Sequence, residues 1–140
     1  MRKIFLFYCL LAVSVLTACV KEEENPLPYV HVDILVPLYW YSELQAGLPV
    51  KLRESCGYNN NKIIIVPRGD TYEAFDATCT RNITEETTSI GEPKADFTAT
   101  CPKCGTVYNL FTGYAQNQSF HLQRYRTYMS SDGRHIHVTN

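Results

Sequence analysis

An excess of either charge is absent from this chain: 13 lysines and arginines face 14 aspartates and glutamates in 140 residues, a formal net charge of −1 at pH 7. There is no basic stripe with aromatics interleaved. The sequence therefore offers little of the phosphate attraction that dominates nucleic-acid binding, and no nucleic acid is expected as a partner. A long apolar run is missing too, since Ile4 to Val15 falls short of the ~20 residues that a spanning helix needs. No stretch keeps a helical period of useful length, so helical classes are set aside in favour of an all-β domain. Neither an internal repeat nor a second domain is evident. Serines, histidines and carboxylates occur, but nothing sets a nucleophile, a base and an orienting group together, so a carrier or binding module is expected before a catalyst.

What is present starts at the N-terminus. Arg2 and Lys3 make a positive start before the apolar run, and residues 1–18 read as a signal peptide to be excluded from the fold. The segment closes with Leu16-Thr17-Ala18-Cys19, which resembles the lipobox of bacterial lipoproteins. That resemblance implies cleavage before Cys19 and acylation of its thiol and new amino group; the alternative is an uncleaved helix. Several acyl chains on one residue anchor stably where a single chain is marginal, so a membrane is the expected partner of Cys19. Val20 stands where an aspartate would resemble an inner-membrane retention signal, which points to outer-membrane delivery. Residues 19–28 form a tether that includes the acidic stretch Lys21-Glu22-Glu23-Glu24. This stretch is either a signal for surface display or a solvated linker. Losing Arg2 and Lys3 leaves 11 cations against 14 anions, a mature charge of 11 − 14 = −3. In a bacterial envelope the sequons at Asn82 and Asn117 are not read as glycosylated.

Residues 29–140 alternate strand and turn signals. Tyr29 to Ile34 alternates apolar and polar side chains and predicts a first strand, and Val50 to Leu52 resumes the pattern. Cys56-Gly57-Tyr58-Asn59-Asn60-Asn61 is turn-forming. Lys62 to Val66 is a β-branched run expected as a buried strand; the turn Pro67 to Asp70 and a strand Thr71 to Phe75 complete a hairpin that leads to Cys79. Asn82 to Thr98 reads as a polar loop with one short strand near Phe97. Val107 to Phe111 predicts a strand, Thr112-Gly113 a turn, and Phe120 to Tyr128 an extended run. Ser131-Asp132-Gly133 predicts a tight closing hairpin, because Asp-Gly supplies positive φ.

Of six cysteines, Cys9 leaves with the signal and Cys19 carries lipid, so Cys56, Cys79, Cys101 and Cys104 remain. Export favours disulfides as the default reading of four thiols. Phe75-Asp76-Ala77-Thr78-Cys79-Thr80-Arg81, together with Cys101-Pro102-Lys103-Cys104-Gly105-Thr106-Val107-Tyr108-Asn109-Leu110-Phe111-Thr112-Gly113, resembles the two cluster-binding loops of Rieske domains and the strand that leaves the second. The preceding hairpin and the closing one resemble that family as well. The resemblance implies an all-β, Rieske-like antiparallel domain of small stacked sheets with two cysteine-bearing loops. It also implies a [2Fe–2S] centre held by two thiolates and two imidazoles, serving electron transfer with an envelope redox partner. Both histidines are exchanged: Arg81 stands at the first position and Cys104 at the second. A guanidinium offers no lone pair, whereas a thiolate can ligate iron.

Three readings follow. In the first, Cys79, Cys101 and Cys104 bind a modified iron–sulfur centre of lowered potential, with Cys56 as fourth ligand and His121, His135 and His137 as weaker candidates. In the second, the domain holds no cluster, serves binding or assembly, and is stapled by a disulfide from Cys79 to Cys101 or Cys104. The third is a tetrahedral Zn²⁺ or mononuclear iron site on the same cysteines, completed by Cys56 or a histidine. Thiol–disulfide exchange at Cys101-Pro102-Lys103-Cys104 is a minor further alternative.

Overall fold

The computed structural model describes residues 25–81, 83, 87–117 and 119–140. The signal-like segment, Cys19 and the start of the tether lie outside the described residues.

The chain is built around Ile63-Ile64-Ile65-Val66, four consecutive β-branched residues with no exposed surface. A strand points alternate side chains to opposite faces, and here both faces are covered. Ile63 and Ile65 pack with Val32, Val36, Leu52, Ala74, Tyr125, Ile136 and Val138. Ile64 and Val66 pack with Phe75, Ala77, Ile90, Tyr108, Leu110 and Leu122. Each such side chain contributes about 2 kcal/mol on burial, and one strand thereby anchors two cores.

In order the strands are β1 (Asp33–Pro37), β2 (Val50–Lys51), β3 (Ile63–Arg68), β4 (Thr71–Asp76), β5 (Thr98–Thr100), β6 (Val107–Asn109), β7 (Arg124–Met129) and β8 (His135–Thr139). Six of them form one sheet in the order β1-β8-β7-β4-β3-β2, and β5 pairs with β6 in a second. Every strand pairing is antiparallel. The α-helical content of the described residues is one turn, α1 (Ser42–Gln45), which buries Leu44.

Several boundaries differ from the sequence expectation. The first strand lies at Asp33–Pro37, later than the alternation from Tyr29 suggested. Its ladder with β8 opens at Asp33 opposite Thr139. Before that point the Asn140 side chain serves the backbone, accepting from Val32 N–H and donating to Val30 C=O. Leu27 is already buried, so packing reaches back into the segment read as tether. Pro67 and Arg68 stay in β3, which narrows the hairpin turn to Gly69-Asp70, with Gly69 at φ +62°. The closing hairpin has a wider loop than the Asp-Gly pair suggested. Ser130 N–H bonds to His135 C=O around it, and Asp132 accepts from Arg134 N–H at 2.9 Å. That carboxylate organises a loop in which Gly133 has the positive φ, +66°, that Asp-Gly was expected to supply. The run from Phe120 becomes a strand only at Arg124, since His121 makes just one bridge, to Tyr114.

Candidate metal centre

Two loops meet at the edge of the core that holds Ile64 and Phe75. The first follows β4. Its backbone is pinned by Cys79 N–H to Thr88 C=O and Ile90 N–H to Ala77 C=O, at 2.8 and 2.7 Å. The second joins β5 to β6 and turns tightly, with Gly105 N–H on Cys101 C=O (2.9 Å) and Cys101 N–H on Thr106 C=O (2.8 Å). Gly105 sits at φ +72°, a conformation a residue with a Cβ rarely adopts.

The Sγ atoms of Cys79, Cys101 and Cys104 all lie within 4.8 Å of one another, and Cys79 and Cys104 are 3.6 Å apart. All four described cysteines are free thiols. Cys79 and Cys101 are buried while Cys104 is half-buried, so the site is closed from the core side and open at Cys104.

Hydroxyl groups surround the sulfurs. Tyr108 on β6 is fully buried, and its Oη lies 3.4 Å from Cys79 Sγ. That oxygen accepts from Thr80 N–H at 3.1 Å. The Thr80 hydroxyl proton goes to His121 C=O at 2.8 Å, which leaves the Tyr108 proton between two acceptors, Cys79 Sγ and, at 3.3 Å, Thr80 Oγ1. Thr106 Oγ1 is 3.1 Å from Cys104 Sγ and accepts from Arg81 Nη1 at 3.4 Å. Arg81 therefore acts on the site through a hydroxyl rather than as a ligand.

These neighbours split the thiols. Burial raises Cys79 to about 11, against the lowering contacts of Tyr108 and the Arg81 backbone. Burial also raises Cys104, but the Thr106 hydroxyl and N–H, with the Cys101 and Cys79 thiols, outweigh it and bring Cys104 down to about 6. Cys104 is thus held more acidic than Cys79.

Cys56 does not join this group. It packs with the other core, on the opposite side of β3, where burial, then Glu54 and Asp76, raise it to about 11. The turn holding Cys56 precedes β3 in sequence, but the alternation of β3 separates the two cores. The histidines are elsewhere too. His121 Nδ1 faces Leu122 C=O at 3.2 Å with its ring tilted on Tyr114. His135 lies against Tyr39 and Asp132, and His137 against Tyr128 and Asp33. Among the described residues, no fourth cysteine, histidine or carboxylate completes the trio. Sequence reasoning left Tyr108, Thr80 and Thr106 without roles. The available signal was Thr106-Val107-Tyr108, two hydroxyls at the same-face spacing of a strand just after Cys104.

Neither a protein-family model nor a curated protein matches the sequence significantly. Solved structures do match. The ferredoxin of carbazole 1,9a-dioxygenase from Nocardioides aromaticivorans IC177 aligns at a TM-score of 0.50 and 17% identity, covering 77% of this chain and 97% of its own. The cyanobacterial plasma membrane Rieske protein PetC3 from Synechocystis PCC 6803 aligns at a TM-score of 0.50 and 22% identity, covering 80% and 100%. The fold is Rieske-like. The all-β expectation and the resemblance of the two loops are both borne out at the level of fold, and at these identities the likeness carries no further. A centre with two imidazoles does not fit the residues of this Rieske-like domain, because Arg81 and Cys104 hold the histidine positions and no described imidazole reaches the trio. A thiolate-bound metal does fit, since three soft donors converge.

Proposed function

We propose that this protein is an electron-transfer module of the bacterial envelope, tethered to a membrane through lipidated Cys19, with an iron centre held by Cys79, Cys101 and Cys104. The observation that carries the reading is the convergence of three Sγ atoms within 4.8 Å at the meeting of two loops on a Rieske-like frame. Iron bound there supplies a one-electron couple. Held by these three residues, it would pass one electron at a time from an external donor to an envelope acceptor, with no covalent bond made or broken. The chain's own residues hold and tune that charge. The Tyr108 hydroxyl faces Cys79, and Thr106, itself receiving a hydrogen bond from Arg81, faces Cys104. Burial of Cys79 and Cys101 keeps water from two of the three sulfurs, and half-buried Cys104 gives a partner its closest approach.

The test is metal analysis and a visible spectrum on the full-length chain purified anaerobically in detergent. Iron with thiolate charge-transfer bands that bleach on reduction is expected. Cys79→Ser, Cys101→Ser and Cys104→Ser should each lose the iron, and Cys56→Ser should keep it. A colourless protein after reconstitution, or one that retains zinc alone, defeats the electron-transfer reading. Labelling with a fatty acid, abolished by Cys19→Ser, tests the tether separately.

A further inference from the structure

The fold's resemblance implies a two-iron cluster, yet the donor spacing argues otherwise. Resting on the assignment of Cys79, Cys101 and Cys104 as ligands, we propose that all three bind one and the same ion, so that the centre is mononuclear. With metal–sulfur bonds of 2.3 Å, two thiolates of a tetrahedral shell stand about 3.8 Å apart. Cys79 and Cys104 are 3.6 Å apart, and the whole trio fits within 4.8 Å. Ligands on the two different irons of a cluster are separated by the iron pair itself and stand well beyond that edge.

The chemistry of the exchanged positions supports the same conclusion. A second iron of the Rieske kind needs one donor from each loop. On the first loop, Arg81 has no lone pair, and its guanidinium bonds to Thr106 Oγ1. On the second, a cysteine places its donor one bond nearer the backbone than an imidazole nitrogen. Cys104 Sγ has accordingly drawn in beside Cys79 and Thr106 Oγ1 rather than reaching outward. Three thiolates around a divalent ion leave one net negative charge. Arg81, bonded to the hydroxyl that faces Cys104, lies on the side where that charge needs compensation. The fourth corner of the shell is left to a donor outside the trio.

The full-length chain in detergent, stripped of metal under reducing and anaerobic conditions, is divided between ferrous iron alone and ferrous iron with sulfide. One iron per chain in both mixtures, with no acid-labile sulfide retained and a high-spin ferric signal after oxidation, is the expected result. Retention of two irons and two sulfides from the second mixture overturns the mononuclear centre while leaving the electron-transfer reading standing. No iron retained from either mixture overturns both.

Discussion

Tyr108 acts on the site through a single proton. Because Thr80 N–H and the Thr80 hydroxyl are already committed as donors, the tyrosine hydroxyl donates in turn, with Cys79 Sγ and Thr80 Oγ1 both in reach. A donor to a ligand sulfur stabilises the reduced, more negative state. Tyr108→Phe should therefore lower the reduction potential of the iron-loaded protein by about 40 mV, the one-electron equivalent of a ~1 kcal/mol hydrogen bond. Redox titration of the visible bands measures this, and a potential equal to the parent's would refute the donor role. The variant also strands the Thr80 N–H and should melt earlier, but lost packing alone would leave the potential in place. Arg81 was legible as a non-ligand from its chemistry. Its hydrogen bond to Thr106, 25 residues away, was not.

At the scale of elements, the turn after β6 is held by a close contact. Gly113 lies at φ +80°, and a Cβ there would stand 2.7 Å from Cε1 of Phe75. Gly113→Ala combines an unfavourable backbone conformation with overpacking against a fully buried ring. The sum is about 3 kcal/mol of destabilisation, read as a lowered urea midpoint with unchanged slope; a loss under ~1 kcal/mol would show that the turn yields freely. The glycine marked a turn in the sequence. Its packing against Phe75 needed β4 and the β6 exit side by side. The register of the hairpins was similarly half-legible: alternation placed β3 and β4, whereas the bond from Arg134 N–H to the Asp132 carboxylate inside the last loop is not encoded by alternation.

At the scale of the molecule, one buried carboxylate joins three parts of the chain. Asp76 has no exposed surface, and it accepts from Tyr58 N–H (2.6 Å), Thr78 N–H (2.9 Å) and Tyr125 Oη (2.7 Å). These belong to the turn after Cys56, the first cysteine loop and β7. Asp76→Ala leaves those donors buried without an acceptor and should cost at least about 3 kcal/mol. Thermal unfolding measures it, and a wild-type midpoint would remove Asp76 as an organiser. Alkali should act through the tyrosines. Burial, and then the hydrogen bond to Cys79, hold Tyr108 well above the usual 10.0. Tyr125 is held above it by burial and the charge of Asp76. Below pH 10 both states keep these protons. Above it the unfolded chain releases them first and binds fewer than the native one, so stability falls as pH rises. Urea midpoints compared at pH 8 and pH 11 should drop at the higher value, and equal midpoints would contradict the assignment.

Local information sufficed for the elements: the β-branched run of β3, the turn glycines and the Cys-x-x-Cys knuckle are each set by neighbours in sequence. Those signals also carried the likeness to the Rieske fold through order and spacing. Only the tertiary structure decided which cysteines meet. Cys56 and Cys79 flank the same hairpin, but β3 turns alternate side chains to two separate cores and leaves them on opposite sides. Cys104 reaches Cys79 because an antiparallel pair, β5 with β6, returns the second loop to the first. Sequence spacing records how far apart residues are along the chain. The distances between sulfurs, and with them the choice between one ion and two, arise from how the two loops pack.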